Sequence, residues 1–358
     1  MVSERPGAQP ADRAQLPQAS DRPLSEVYDA ALLDLDGVVY LGGAAVAKAP
    51  EALAAAREQG MQLAFVTNNA SRTPSAIAAE LNKLGVPADR TEVVTSAQAA
   101  AHLIADKVPP GAPVLVVGGM GLRQALHERG LRPVSTAAER PAAVVQGYAP
   151  GVDYGLLAEG ALAVRAGAWF VAANADPTLP TGRGLQPGNG SLVQVIATAT
   201  GTKPVVAGKP EPPLHAESVA RTGAKRPLVV GDRLDTDIEG ACRVGADSML
   251  VLTGVSEPAD AVLAPPQQRP TYLAHDLSGL LEPHPAVAAA DDEFRCGGWT
   301  ARRRPVQATQ DGQADRLEIS GGGAAIDGLR ALCAAAWSGG AVAADSVAHA
   351  VGSLRFPG

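Results

Sequence analysis

The chain has 358 residues, 46% hydrophobic and 19% charged, with aromatics at 3% and a formal net charge of -7. That composition supports a large aliphatic core in two or three domains and excludes global disorder. The acidic balance excludes a sequence-independent nucleic-acid binder, and the widely spaced Cys242, Cys296 and Cys333 form neither a metal-ligand pair nor a disulfide framework.

Residues 1–23 are polar, with no apolar run, so they read as a disordered tail and not a signal peptide. Ala30-Ala31-Leu32-Leu33 reads as a short strand buried on both faces that ends on Asp34-Leu35-Asp36-Gly37. A helix near Pro50–Gly60 follows, with Pro at its start and Gly at its stop. Leu63-Ala64-Phe65-Val66 then runs into Thr67-Asn68-Asn69, a helix covers Thr73–Leu84, and Val93–Ser96 is a third strand. This order predicts an α/β fold with a doubly wound parallel sheet. The next hundred residues repeat the alternation, with strands at Val114–Val117, Ala142–Gln146 and Trp169–Ala173 and helices at Gly121–Arg129 and Leu156–Ala166. Such an insertion, residues 98–187, reads as a lid domain, with Gly182–Gly190 as the return crossing.

The core, residues 24–97 and 188–290, resumes with a helix over Ser191–Thr200. Val205-Val206-Ala207 leads into Gly208-Lys209-Pro210, and Leu228-Val229-Val230 leads into Gly231-Asp232. A helix over Asp237–Val244 and a strand over Ser248–Leu252 complete the sheet. Pro258–Pro285 reads as a winding peripheral connection. Residues 291–358 change character and read as a small α+β module, with strands in Phe294–Ala301 and Leu317–Ser320 and an amphipathic helix over Ala324–Trp337. No run of 18 apolar residues is present to span a membrane, and a reducing cytoplasm is the expected setting.

Open parallel sheets place their chemistry at the carboxyl ends of their strands, so two carboxylates, a hydroxyl, an ammonium and a further carboxylate are expected in one crevice. A carboxylate attacks a phosphate monoester when a cation neutralises their repulsion, and Mg²⁺ suits carboxylates and substrate oxygens. Alternation turns Asp34 and Asp36 to the same side, so one can be the nucleophile and the other the acid/base. Thr67 and Asn68 offer donors to phosphate oxygens, Lys209 a positive charge, and Asp232 a second carboxylate to the cation. Taken singly, Asp36-Gly37 reads equally well as a turn, Thr67-Asn68 as a helix cap, Lys209 as a surface cation and Asp237 as a capping residue.

Taken together and in this order, Asp34-Leu35-Asp36-Gly37, Thr67-Asn68-Asn69, Gly208-Lys209-Pro210 and Gly231-Asp232-Arg233-Leu234-Asp235-Thr236-Asp237 resemble the haloacid dehalogenase superfamily of phosphatases. The inserted segment, with Asn174-Ala175-Asp176-Pro177 and Gly188-Asn189-Gly190-Ser191, resembles the class IIA branch, which has a Rossmann-like core and a C2-type cap. The resemblance covers residues 28 to 285. It implies that Asp34 becomes an aspartyl-phosphate, Asp36 is the acid/base, Thr67 and Asn68 bind the phosphoryl group, and Lys209 stabilises it. Mg²⁺ would be held by the Asp34 side chain, the Asp36 carbonyl and Asp232, with Asp237 supporting from behind. The substrate implied is a small phosphorylated metabolite, glycerol 3-phosphate or 2-phosphoglycolate first, pyridoxal phosphate or a nucleotide second. Asn174, Asp176 and Arg183 are the cap residues expected to read it, and cap surfaces of this branch also mediate homodimers. The tail resembles an N-acetyltransferase-like appendage without the loop that grips coenzyme A. A phosphotransferase or mutase, or a regulatory binding protein, are the competing classes.

Overall fold

A computed structural model describes residues 16–305 and 314–356. Leu63–Lys225 form one compact unit, and the residues on either side of that span form the other.

In the second of these, the strands Tyr272–Ala274, Asp247–Val251, Pro227–Gly231 and Ala30–Leu33 lie side by side and parallel. Every residue of Ala30–Leu33 is buried, which is why the run carries no polar side chain until Asp34. The expected winding connection over Pro258–Pro285 is more ordered than its prolines suggest. It holds a helix at Pro258–Leu263 and the buried edge strand Tyr272–Ala274, because Pro258 sits at a helix start and Tyr-Leu-Ala provides a full strand of apolar contacts. The tail needs the same correction from Leu16 on. Gln18 N–H donates to the Thr271 carbonyl at 2.9 Å, and Ser20 and His284 exchange backbone hydrogen bonds at 2.9 and 2.8 Å. The rest of the expected disordered segment, residues 1–15, lies outside the described residues.

The C-terminal residues of the same unit build a four-stranded antiparallel sheet from Ala288–Ala290, Glu293–Cys296, Trp299–Arg304 and Arg316–Gly321, followed by helices Ala325–Trp337 and Ala344–Gly352. The sequence reading separated these residues as a third module. Instead, Phe294, Trp299, Leu329, Leu332 and Trp337 share one apolar cluster with Leu234, Ile238, Leu250, Val262 and Leu273. Hydrogen bonds cross the same seam, from Trp337 Nε1 to the Ala261 carbonyl (3.2 Å) and from Arg330 Nη2 to the Leu273 carbonyl (2.7 Å). Apolar burial on this scale leaves no boundary at residue 291.

In Leu63–Lys225, the strand Gln62–Thr67 pairs in parallel with Val93–Thr95, and a five-stranded parallel sheet runs Val205–Val206, Trp169–Ala172, Ala143–Gln146, Pro113–Val117, Arg132–Val134. Helix starts follow capping chemistry: Thr73 Oγ1 accepts from Ala76 N–H ahead of Pro74, and Thr95 and Gln98 form a reciprocal capping box. The Gly182–Gly190 crossing is an antiparallel hairpin, Thr178–Thr181 against Gly184–Pro187, running into a helix at Asn189–Thr200. The fold class is α/β with parallel sheets. Among the described residues, no helix is long and apolar enough to cross a membrane.

Candidate active site

Asp34 follows the buried strand directly, and its N–H donates to the Val230 carbonyl at 2.8 Å, which extends the strand pairing by one residue. The side chain of Asp34 is half-buried, whereas that of Asp36 is exposed. Between them Leu35 turns inward at 1% exposure, as alternation requires. Gly37 closes the turn at φ +83°, where only glycine sits without strain, and its N–H donates to the Tyr40 carbonyl at 2.8 Å. A Cβ at Gly37 would lie 2.5 Å from Asp232 Oδ2, and one at Gly254 would lie 2.0 Å from the same atom. Two glycines therefore clear the space that the Asp232 carboxylate fills.

Asp232, at 0% exposure, is held from the loop after Asp247–Val251: Oδ2 accepts from Val255 N–H at 2.6 Å, and its carbonyl accepts from Ser256 N–H at 3.1 Å. Residues Leu234–Ile238 then form one turn of π-helix. The wide turn brings Asp237 Oδ2 to the Arg233 N–H at 3.2 Å, against Gly231, where a Cβ would meet Asp237 Cβ at 2.1 Å. Leu234 and Ile238, on either side, are pinned in the apolar cluster shared with the C-terminal residues. Asp235 stays on the surface in a paired contact with Arg233, Nη2 to Oδ2 at 2.8 Å.

Among the described residues, one group of acidic side chains meets the spacing of a metal site. Asp34, Asp232 and Asp237 each offer a carboxylate oxygen, all within 4.8 Å of one another. Three hard oxygen donors with no thiolate or imidazole fit a hard divalent cation such as Mg²⁺ or Ca²⁺. Asp237, expected behind the ligands, brings a carboxylate oxygen within the same 4.8 Å.

In Leu63–Lys225, Thr67 ends its strand at 4% exposure, and its Oγ1 accepts from Asn69 N–H at 3.1 Å, which leaves the hydroxyl proton available to donate. The Asn68 side chain is turned to Lys209. Its Oδ1 accepts from Lys209 N–H at 2.8 Å and its Nδ2 donates to the Lys209 carbonyl at 3.2 Å. The Asn68 carboxamide is thus engaged within the protein, and backbone N–H groups are the donors the sequence assigned here to a phosphoryl group. Lys209 is 4% exposed, with Nζ donating to the Val66 carbonyl at 3.2 Å. Gly208 permits the approach, since a Cβ there would stand 2.5 Å from Asn68 Oδ1.

The cap residues divide. Asn174 Nδ2 donates to the Asn68 carbonyl at 2.7 Å, and both Asp176 oxygens lie 3.2 Å from Asn68 Nδ2, so these two face Asn68. Arg183 is exposed at the tip of the hairpin. Sequence reasoning passed over Gly254 and Val255, signalled only by a Thr-Gly pair after an apolar strand, and gave no role to Asn189 of the Gly188–Ser191 motif, whose Nδ2 donates to the Asn174 carbonyl at 2.7 Å. It also passed over Glu217, whose 3%-exposed carboxylate gathers Arg129, Arg221 and His102 onto the helix that follows Lys209.

The family model described as haloacid dehalogenase-like hydrolase matches residues 31–132, and a related hydrolase model matches residues 206–280. The chain is 47% identical over 317 residues to a D-glycerol 3-phosphate phosphatase of Mycobacterium tuberculosis, covering 88% of this chain and 87% of that one. It is 38% identical over 255 residues to a 5′-nucleotidase of Bacillus subtilis, covering 71% and 97% respectively. A crystal structure of a glycerol phosphate phosphatase from Mycobacterium tuberculosis in complex with magnesium superposes with a TM-score of 0.81 at 43% identity, over 93% of this chain and 99% of that one. With its acidic cluster at the end of a parallel strand and matches of this extent, the chain belongs to the haloacid dehalogenase-like hydrolases.

Proposed function

We propose that this chain is a Mg²⁺-dependent phosphatase of small phosphate monoesters, with glycerol 3-phosphate the leading substrate. The observation that carries the reading is the Asp34–Asp232–Asp237 group, with carboxylate oxygens within 4.8 Å of one another. Three carboxylates this close repel one another strongly without a cation, and a phosphate dianion could not approach them. Mg²⁺ bound by the Asp34 side chain, the Asp36 carbonyl and Asp232 supplies the positive charge that offsets this repulsion, with Asp237 in support.

The rest falls to the chain's own groups. Thr67 Oγ, the Asn68 backbone and Lys209 hold the phosphoryl oxygens. An Asp34 oxygen attacks phosphorus and the bond from phosphorus to the alcohol oxygen breaks. Asp36 gives its proton to that leaving oxygen, so the first products are the free alcohol and an aspartyl-phosphate. Asp36, now a carboxylate, takes a proton from water as the water attacks phosphorus. The bond from phosphorus to the Asp34 oxygen breaks, inorganic phosphate leaves, Asp34 is again a carboxylate and Asp36 again carries its proton. Exposure of Asp36 supports this part, because it must exchange protons with solvent and substrate.

Glycerol 3-phosphate leads because the relative with that printed activity matches at higher identity and over more of this chain than the 5′-nucleotidase does. Arg183, exposed at its hairpin tip, is our cap candidate for reading the alcohol part. We place the protein in the cytoplasm, a reading supported by three unpaired cysteines, two of them buried. The C-terminal residues, an antiparallel sheet with two helices, are read as an N-acetyltransferase-like fold with a structural role and no acetyl transfer. A panel of phosphate monoesters assayed with Mg²⁺ tests the proposal. Glycerol 3-phosphate should give the highest kcat/KM, chelation should stop release, and Asp34→Asn should lose turnover while still unfolding cooperatively. Phosphate release by a cooperatively folded Asp34→Asn at the wild-type rate would remove Asp34 from the reaction, and phosphate recovered on an acceptor alcohol would make the enzyme a transferase.

A further inference from the structure

We propose that Asp176 and Asn174 are positioning residues: they lock Asn68, and through Asn68 they fix Lys209, rather than reading the substrate. The proposal rests on the phosphatase reading above for the role of Lys209, but its structural basis lies wholly within Leu63–Lys225.

The Asn68 carboxamide pairs with the main chain of Lys209 as a neighbouring strand would, accepting from its N–H at 2.8 Å and donating to its carbonyl at 3.2 Å. Such a pairing works in one orientation only. Turned over, the amide would set its oxygen against the Lys209 carbonyl and its NH₂ against the Lys209 N–H. Asp176 reinforces the working orientation. Its carboxylate can only accept, and both of its oxygens lie 3.2 Å from Asn68 Nδ2, so the amide nitrogen is held on the side where Lys209 needs a donor.

Asn174 acts on the other end of the same residue. Its Nδ2 donates to the Asn68 carbonyl at 2.7 Å, and Ser96 Oγ donates to that carbonyl at 2.7 Å as well. With two donors the Asn68–Asn69 peptide plane cannot rotate, and Asn69 N–H stays on Thr67 Oγ1 at 3.1 Å. Asn174 is itself built in, at 5% exposure, with its Oδ1 accepting from Asp176 N–H at 3.3 Å and its carbonyl accepting from Asn189 Nδ2 at 2.7 Å. A side chain this enclosed has its donors and acceptors committed to the protein. Gly208 completes the arrangement, since any Cβ there would press on Asn68 Oδ1. The chain of contacts therefore runs from the lid residues through Asn68 to both the Lys209 backbone and the Thr67 hydroxyl.

The test is a double-mutant cycle in the full-length chain with Asn68→Ala, Asp176→Ala and the pair, read on kcat/KM for glycerol 3-phosphate and for p-nitrophenyl phosphate. If Asp176 acts through Asn68, Asp176→Ala lowers both rates by the same factor, about 10- to 100-fold, as expected for misplaced catalytic groups. Once Asn68 is Ala, the same change should cost less than about 3-fold, because the contact it served is gone. Asn174→Ala should likewise leave the ratio of the two substrates unchanged. A loss confined to glycerol 3-phosphate would make Asp176 a reader of the alcohol and overturn the proposal, and so would additive losses in the cycle. The cycle is also run on the dissociation constant for inorganic phosphate. A wild-type chain that turned over neither ester would sink the phosphatase reading, while the phosphate affinities would still judge the coupling.

Discussion

The sharpest consequence of the acidic group concerns Asp232→Asn with and without cation. The change keeps the shape of a side chain at 0% exposure but removes one of three negative charges whose oxygens lie within 4.8 Å. At that separation and an effective dielectric of about 20, each like-charge pair costs about 3.5 kcal/mol, and Asp232 has two such neighbours. Asp34 is half-buried, so solvent screens part of its share. The charge-assisted bond from Val255 N–H to Asp232 Oδ2 weakens in return, a loss of about 1.5–3 kcal/mol. Relief of the repulsion offsets that loss, so in chelator the variant should unfold no lower than wild type, each kcal/mol of difference reading as about 2–4 °C in Tm. With Mg²⁺ the order reverses. Wild type gains about 2.7 kcal/mol at a hundredfold excess over Kd, and the variant gains little. Turnover should fall by at least about 10³-fold. Thermal unfolding in chelator and across a Mg²⁺ titration reads both signs. An equal Mg²⁺-dependent rise in Tm for the two proteins, or a cation-free variant clearly less stable than wild type, would refute this account of the site.

Gly254→Ala places a Cβ 2.0 Å from Asp232 Oδ2, so the carboxylate must move. Overpacking of about 1–3 kcal/mol and a drop in Mg²⁺ affinity of at least roughly tenfold are expected, measured by calorimetry. Two histidines set an acid limit on stability. Burial, aided by Lys209, pushes His215 down to about 3, and burial, with Arg330 adding to it, pushes His284 down to about 4. Because the unfolded rings titrate near 6.5, the unfolded chain binds protons that the fold refuses. Stability is therefore full above pH 6.5 and falls as pH drops from there toward 4 and 3, by about 2 kcal/mol per ring between pH 6.5 and 5. Urea midpoints at pH 7 and pH 5 check this, and His284→Gln should remove about half of the difference. Ending the chain at residue 290 strips Phe294, Trp299, Leu329, Leu332 and Trp337 from the cluster that holds Leu234 and Ile238. At about 1.5–3 kcal/mol for each large side chain, the loss matches the whole stability of an ordinary domain, so the fragment should show no cooperative calorimetric transition.

Much of this was legible because the informative signals are local. A four-residue apolar run before Asp34 has one economical explanation, a strand buried on both faces, and Thr73-Pro74 announces its helix in adjacent residues, whereas the helix Ser96–Ala105 that Thr95 caps was not read. The carboxylates of Asp34 and Asp232 could be paired on paper because strand ends in an open parallel sheet face the same way. The parts that were misread depend on long-range packing. Tyr272–Ala274 is too short and too proline-flanked to announce a strand until Asp247–Val251 lies beside it. Residues 291–358 change composition, which reads as a boundary, but composition carries no information about which apolar face meets which. For Asn174 and Asp176, expected as cap contacts to the substrate, no local signal says which way their side chains turn. Their partner, Asn68, lies more than a hundred residues away in sequence, and no spacing rule connects them.

The apolar cluster that Trp299 and Trp337 share with Leu234 and Ile238 of the π-turn bears on how this protein should be dissected genetically. A variant shortened at its C-terminus and found inactive says nothing about whether those last residues meet substrate, since removing a buttress collapses whatever leans on it. Informative lesions would instead lie on the outer face, at the Arg316–Asp345 ion pair for example, where both partners are more than half exposed and the buttress is left standing.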